Sequence, residues 1–312
     1  MRSLIEWRRG LVCFLSVLTF VALTAARPVM AAELQGITFE DFAYLTDGPY
    51  FAFEKKEKNQ ETPDGFTLLR TYKHSSGIQA ALYEQDNTGT VIFSIAGTQF
   101  SDPRDMLADL GIGTSALQAV LSEGIGDLVN DAKDIPKPVR KEVKKAFRSI
   151  FGIKGKKKAA QAQEALANGP VLSNKLRRQI KNGIAFFDEV VGSQKSNGDV
   201  IKAREIIIAG HSLGGYIAQI IAVERRPKQV ITFNAPGAYT FVKGRKANAQ
   251  VTNHVRRADI VGNFGKHVGD TYRYRNAKFK WRRVHKAIFV ANHSMKIFKR
   301  DIRKRGIKAK NT

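Results

Sequence analysis

Apolar residues along this chain fall into short continuous runs and longer periodic stretches. Thr90–Ile95, Ile206–Ala209 and "QVITF" are continuous enough to be buried central strands, while "QVTNHVRRADIV" and "DTYRYRNA" read as further strands. The run before Thr90, "GIQAALYEQ", is also β-rich. Asp86-Asn87-Thr88-Gly89 supplies the turn residues of a hairpin between the two. Helical spacing marks "LSNKLRRQIKNGIAFFDEVV" and the segment after Ser212, and "GITFEDFAYLTDGPY" reads as a short helix and turn. A helix is expected after Asp102, an N-cap followed by Pro103, and another, "VANHSMKIFKRDIRKR", is expected to finish the chain. Strands alternating with helices imply an α/β fold, with a mostly parallel central sheet, helices on both faces and an antiparallel hairpin at its start.

Two segments change this picture. Residues 1–31 carry a basic start (Arg2, Arg8, Arg9), an apolar run from Leu11 to Ala26 and small residues Val29 and Ala31 at a cleavage point. They read as a signal peptide, and the run is too short for a comfortable membrane span. An exported protein, periplasmic or secreted and bacterial, is expected; Arg8-Arg9 also fits a twin-arginine signal. Residues 32–312 then form the working domain. Within it, 112–170 read as a basic helical insertion, with Val139, Val143, Phe147 and Ile150 on one helix face. Such a helix suits either a membrane-facing lid or an insertion packed on the body.

Charge narrows the partners. The formal net charge is +24, and the leader holds only four basic residues and one acid. Residues 137–158 hold ten Lys/Arg against Glu142, and residues 278–312 hold thirteen against Asp301. An anionic membrane or envelope surface is the expected partner of such segments. No helix-turn-helix, zinc-finger or RNP pattern points to specific nucleic-acid recognition. The only cysteine, Cys13, lies in the leader, so the remaining chain has neither disulfide nor thiolate chemistry.

The chemistry-bearing motif is Gly210-His211-Ser212-Leu213-Gly214, a G-x-S-x-G between a strand and a helix. A serine on so sharp a turn is lifted above the sheet edge, where it can act as a nucleophile; a glycine-rich turn without chemistry has the same local pattern. A nucleophilic serine needs a base and an acid that orients the base. In α/β-hydrolase chain order both follow the serine. Downstream acids are Glu224, Asp259, Asp270 and Asp301, of which Asp259 stands where a strand ends. Downstream histidines are His254, His267, His285 and His293. His293 comes latest, in a loop-like stretch before a helix, and ranks ahead of His267 and His285. Oxyanion donors are expected from the N–H of Leu213 and from Thr98, in the small-residue turn that ends "FSIAGTQF". Carboxyl-ester hydrolysis by this set needs no metal or cofactor, and the chain offers no compact ligand cluster.

Taken in order, these motifs resemble the class 3 (fungal-type) lipase family of α/β-hydrolases. "VIFSIAGTQFSDPRDMLADL" is similar to that family's strand, oxyanion turn and Asp-Leu, and "IIIAGHSLGGYIAQIIA" to its nucleophile elbow. "ITFNAPG" resembles its Pro-Gly turn, "RRADIVGNF" its acid segment, and "NHSM" stands at the place of its late histidine. Ala96 replaces the frequent arginine, no proline follows Asp259, and 112–170 has no counterpart in the compact pattern. The resemblance implies an α/β-hydrolase fold and a lipase or phospholipase using Ser212, Asp259 and His293 on a lipid or other acyl ester. The alternatives are a thioesterase, polyester depolymerase or acyltransferase on the same scaffold, or a non-catalytic cationic envelope-binding protein.

Overall fold

The computed structural model describes residues 36–51, 62–97, 173–256, 259, 261–274, 293–296, 298–300 and 310–311. The leader, Thr98, the helix expected after Asp102, the basic segment 112–170 and His285 lie outside the described residues. The chain divides into units 1–39 and 40–312, and the second carries the sheet. Helix α1 spans Phe39–Phe51. Strands β1 (Phe66–Lys73), β2 (Gln79–Gln85) and β3 (Val91–Ile95) follow, then α2 (Asn174–Val190), β4 (Ile206–His211) and α3 (Leu213–Glu224). The sheet is completed by β5 (Gln229–Phe233), β6 (Gln250–Arg256), β7 (Asp270–Tyr274) and β8 (Lys310–Asn311).

The eight strands among the described residues lie in one sheet in chain order. β3 to β7 are mutually parallel, and β1–β2, β2–β3 and β7–β8 are antiparallel. β3, β4 and β5 are buried along their whole length, as continuous apolar runs require when both faces are covered. Crossovers β3→β4 and β4→β5 step the same way along the sheet, so right-handed connections put α2 and α3 on one face. Phe187 of α2 packs on Phe93 there, at 6.2 Å between ring centroids. The neighbouring Ser94 points to the other face, where its Oγ donates to the Leu45 carbonyl of α1 at 2.8 Å. Phe298 covers that same face through Phe233, at 5.3 Å. Helices on both sides of a mostly parallel sheet, with a strand–turn–helix at β4–α3, make this the α/β-hydrolase fold.

Local sequence accounts for the elements. α2 buries Leu176, Ile180, Gly183, Phe187 and Val190, one stripe at helical spacing, and Ser173 caps it by accepting from the Leu176 N–H at 3.1 Å. α3 is buried from Leu213 to Val223, which explains why it carries no polar stripe. Two elements differ from expectation. β1 is an additional strand, largely exposed, paired to β2 through a bulge between Leu68 and Arg70. The two-residue β8 is another strand that was not expected, and the helix expected over 290–305 is described only at 293–296 and 298–300.

Register decides what the sheet presents at its carboxyl edge. Ile95 pairs with Gly210, His211 with Phe233, and Phe233 with His254. The chain therefore leaves β3 at Ala96-Gly97, β4 at Ser212, β5 at Asn234 and β6 before Asp259 from one common edge. That edge is where open α/β sheets bind ligands.

Candidate active site

Ser212 joins β4 to α3 with φ 56° and ψ −127°, a conformation that L residues rarely adopt. Holding it costs about 1–3 kcal/mol, so the surroundings must over-determine it. They do so by backbone packing. A Cβ on Gly214 would stand 2.1 Å from the Ile95 carbonyl oxygen, and one on Gly210 would stand 2.7 Å from the Gly215 Cα. Only glycine at both positions lets the helix start this close to β4, which it has just left, and to the end of neighbouring β3. The Ser212 N–H donates to the Phe233 carbonyl at 3.0 Å, and the Ser212 carbonyl accepts from the Tyr216 N–H at 3.1 Å.

Leu213 is the first residue of α3, so its N–H has no acceptor within the helix and points out of the helix's positive end. Gly97 leaves β3 beside it: a Cβ there would lie 2.8 Å from the Ser212 Cβ and 3.1 Å from the His211 carbonyl oxygen. The turn expected to hold the second oxyanion donor thus starts against the elbow, while Thr98 itself is outside the described residues.

Asp259 and His293 meet 34 residues apart in the chain. The His293 Nδ1 lies 2.9 Å from Asp259 Oδ2 and 3.1 Å from Oδ1. The Asp259 side chain is 1% exposed and that of His293 18% exposed, which suits a buried orienting acid and a partly exposed base. Asp259 is fixed in turn, because its Oδ1 accepts from the Val261 N–H at 3.1 Å and its own N–H donates to the Arg256 carbonyl at 2.9 Å. With Nδ1 donating to a carboxylate, the unshared pair of the neutral ring sits on Nε2.

The other described histidines downstream of Ser212 are engaged elsewhere. His267 donates from Nε2 to the Ala235 carbonyl at 2.8 Å, and burial pushes its pKa down to about 4. His254 is stacked on Phe233 and paired with the Tyr274 hydroxyl, and burial brings it down to about 3. Both stay neutral and internal. Glu224 lies at the far end of α3, paired with Arg245, and Asp270 begins β7 at the sheet's opposite edge. Among the described residues no group of three or more His, Cys, Asp or Glu side chains is placed to hold a metal ion.

Three neighbours of the site carry no signal in the motif. Asn234, with φ 46°, donates to the His293 carbonyl at 3.3 Å and accepts from the Arg256 N–H at 2.9 Å. Asparagine is among the few residues that tolerate that backbone, so an Asn directly after a buried strand was the available clue. His211, the first unspecified position of G-x-S-x-G, donates to the same carbonyl from Nε2 at 2.8 Å. Tyr50 of α1 reaches His211 from 161 residues away, at 2.7 Å.

No protein-family model matches the chain, and no curated protein sequence matches it. Among solved structures it is similar to the crystal structure of Lip2 lipase from Yarrowia lipolytica, at 14% identity and a TM-score of 0.42, over 76% of this chain and 77% of that one. The nonglycosylated form of the same lipase is similar to the same degree, over 76% of this chain and 78% of its own. Likeness at that level carries nothing about the chemistry of Ser212.

Proposed function

We propose that the chain is an exported serine carboxyl-ester hydrolase of the lipase or phospholipase type. The observation that carries the reading is the juxtaposition at the carboxyl edge of the sheet. A serine stands on a strained elbow, and the residue before it is bonded to the backbone of a histidine whose Nδ1 is held by a buried carboxylate. Ser212 Oγ attacks the acyl carbon while its proton passes to His293 Nε2. Asp259 stabilises the resulting imidazolium and keeps its orientation. The Leu213 N–H, with Thr98, receives the charge on the carbonyl oxygen. The carbon–oxygen bond to the leaving alcohol breaks as the imidazolium returns its proton to that oxygen. Water then repeats the sequence on the acyl-enzyme, giving its proton to His293, and Ser212 departs protonated with release of the acid. The leader at 1–31 accounts for export, and the basic segments suit an anionic envelope or membrane surface near the substrate.

The test is covalent labelling by a fluorophosphonate probe, comparing the purified protein with Ser212→Ala and His293→Ala. Labelling is expected in the parent and lost in both variants. A folded parent that stays unlabelled, with and without a lipid interface, refutes the hydrolase reading and leaves a cationic binding protein.

A further inference from the structure

Two backbone segments that the proposed chemistry needs in register, the turn after β3 and the segment holding His293, are joined by a run of hydrogen bonds. The Gly97 N–H lies 2.7 Å from the Tyr50 hydroxyl oxygen. That hydroxyl lies 2.7 Å from His211 Nδ1. His211 Nε2 lies 2.8 Å from the His293 carbonyl oxygen. Only one placement of protons satisfies all three. A backbone N–H can only donate and a carbonyl can only accept, so the two ends are fixed. His211 must carry its proton on Nε2, its Nδ1 must accept, and Tyr50 must donate to Nδ1 while accepting from Gly97.

We infer that Tyr50 and His211 are positioning residues that hold Gly97, where the chain leaves β3, and the His293 backbone against the nucleophile elbow, an inference that rests on the hydrolase reading above. Both side chains occur in a single ionisation state that suits the role. Burial, with His293 nearby, holds the His211 pKa well below the ordinary histidine value, and burial raises that of the Tyr50 phenol far above its own. A charged His211 would carry protons on both nitrogens and could no longer accept from Tyr50. The His211 ring also supports that of His293, with centroids 4.7 Å apart. Packing leaves the relay no slack, since a Cβ on Gly97 would meet the Tyr50 hydroxyl at 2.8 Å. In this reading both act through what they hold, the Gly97 N–H and the His293 backbone and ring.

Substitutions at His211 separate the two links. Glutamine places an N–H where Nε2 stands and keeps the bond to His293. Asparagine places an oxygen where Nδ1 stands and keeps only the bond to Tyr50. Tyr50→Phe removes the hydroxyl and frees both Gly97 and Nδ1. The measurements are kcat and KM on p-nitrophenyl butyrate, the rate of fluorophosphonate labelling and the melting temperature, with kcat scaled to the folded fraction. His211→Gln is expected to stay within about fivefold of the parent in kcat, whereas His211→Asn and Tyr50→Phe fall by roughly 10–100-fold with KM inside about twofold. Lowered melting temperatures with parental kcat per folded molecule in all three would reduce the relay to a fold-stabilising contact and overturn the inference. So would equal losses in Gln and Asn. The parent's own labelling tells the two claims apart: a labelled parent with unaffected variants sinks only the relay, and an unlabelled folded parent sinks both.

Discussion

Replacing Gly214 by alanine adds one methyl group at the point where α3 passes closest to β3. Two effects compete. Alanine in a helix is favoured over glycine by about 1 kcal/mol. Against this, the new Cβ would stand 2.1 Å from the Ile95 oxygen, 2.6 Å from the Ile95 carbonyl carbon and 2.7 Å from the Ala96 carbonyl carbon. All three are backbone atoms of a buried strand end, so no rotamer change relieves them. Restoring an ordinary contact of 3.4 Å requires 3.4 − 2.1, or about 1.3 Å, of separation between the elbow and the end of β3. Overpacking of this kind typically costs about 1–3 kcal/mol, which outweighs the helix gain.

The catalytic effect should exceed the stability effect. Leu213 rides on the elbow, and the turn beginning at Gly97 rides on β3. Parting the two by an ångström moves the proposed oxyanion donors away from each other. Misplacement by about 1 Å costs on the order of 100-fold in rate. The assay is kcat on an activated acyl ester per folded molecule, with the folded fraction read from thermal melts. Gly192→Ala is the control: its φ of +91° makes a side chain unfavourable, yet a Cβ there meets nothing within 4 Å. It should lower stability by about 1 kcal/mol and leave kcat per folded molecule unchanged. Parental kcat and melting temperature in Gly214→Ala would refute the reasoning, because the elbow would then have room that the geometry denies.

Three other outcomes are expected. Asp259→Asn keeps the shape of the acid but removes its charge, and should lower kcat by roughly 10³–10⁴-fold with little change in the circular dichroism spectrum; a loss below about tenfold would exclude it as the orienting acid. Gly183→Val, whose Cβ would lie 2.6 Å from Ile217 Cγ2 between α2 and α3, should cost about 1–3 kcal/mol in urea unfolding while kcat per folded molecule holds. His254 and His267 have folded pKa values depressed to about 3 and about 4, against about 6.5 for an unperturbed histidine. The unfolded chain therefore binds protons that the folded one refuses. Stability should be full above about pH 6.5 and fall as pH drops toward 4, by on the order of 1 kcal/mol per pH unit for each residue. Urea midpoints measured between pH 7 and 4.5 check this, and a slope unchanged in His254→Phe would remove His254 from the account.

The pairing of Asp259 with His293 was legible because chain order restricted both choices. An acid at the end of a strand and the last histidine before a helix were singled out without knowing any distance, and the fold joins them at 2.9 Å. Central strands were legible for a similar reason: β3, β4 and β5 are buried on both faces, so composition alone marks them. β1 was not, because it lies at the sheet's edge, and its bulge at Leu68/Arg70 breaks the alternation on which such strands are read. β8 has two residues and no apolar signal.

What sequence could not supply is the second layer of the site. G-x-S-x-G leaves position 211 unspecified because its local requirement is only that a side chain leave the strand there. The choice of histidine is set by partners outside the motif, a tyrosine 161 residues earlier and a carbonyl 82 residues later. No periodicity or spacing encodes such a pairing. It exists because parallel register brings the ends of β3, β4 and β5 to one edge, and because α1 covers the face on which His211 points. A strained serine can persist only when its neighbours fix it from several sides. Here those sides are the β3 carbonyls under Gly214, the Phe233 carbonyl on its own N–H, and His211, which ties the preceding position to the His293 backbone. The residues that make the elbow possible are therefore spread across the sequence, while the serine it carries can be read from five letters.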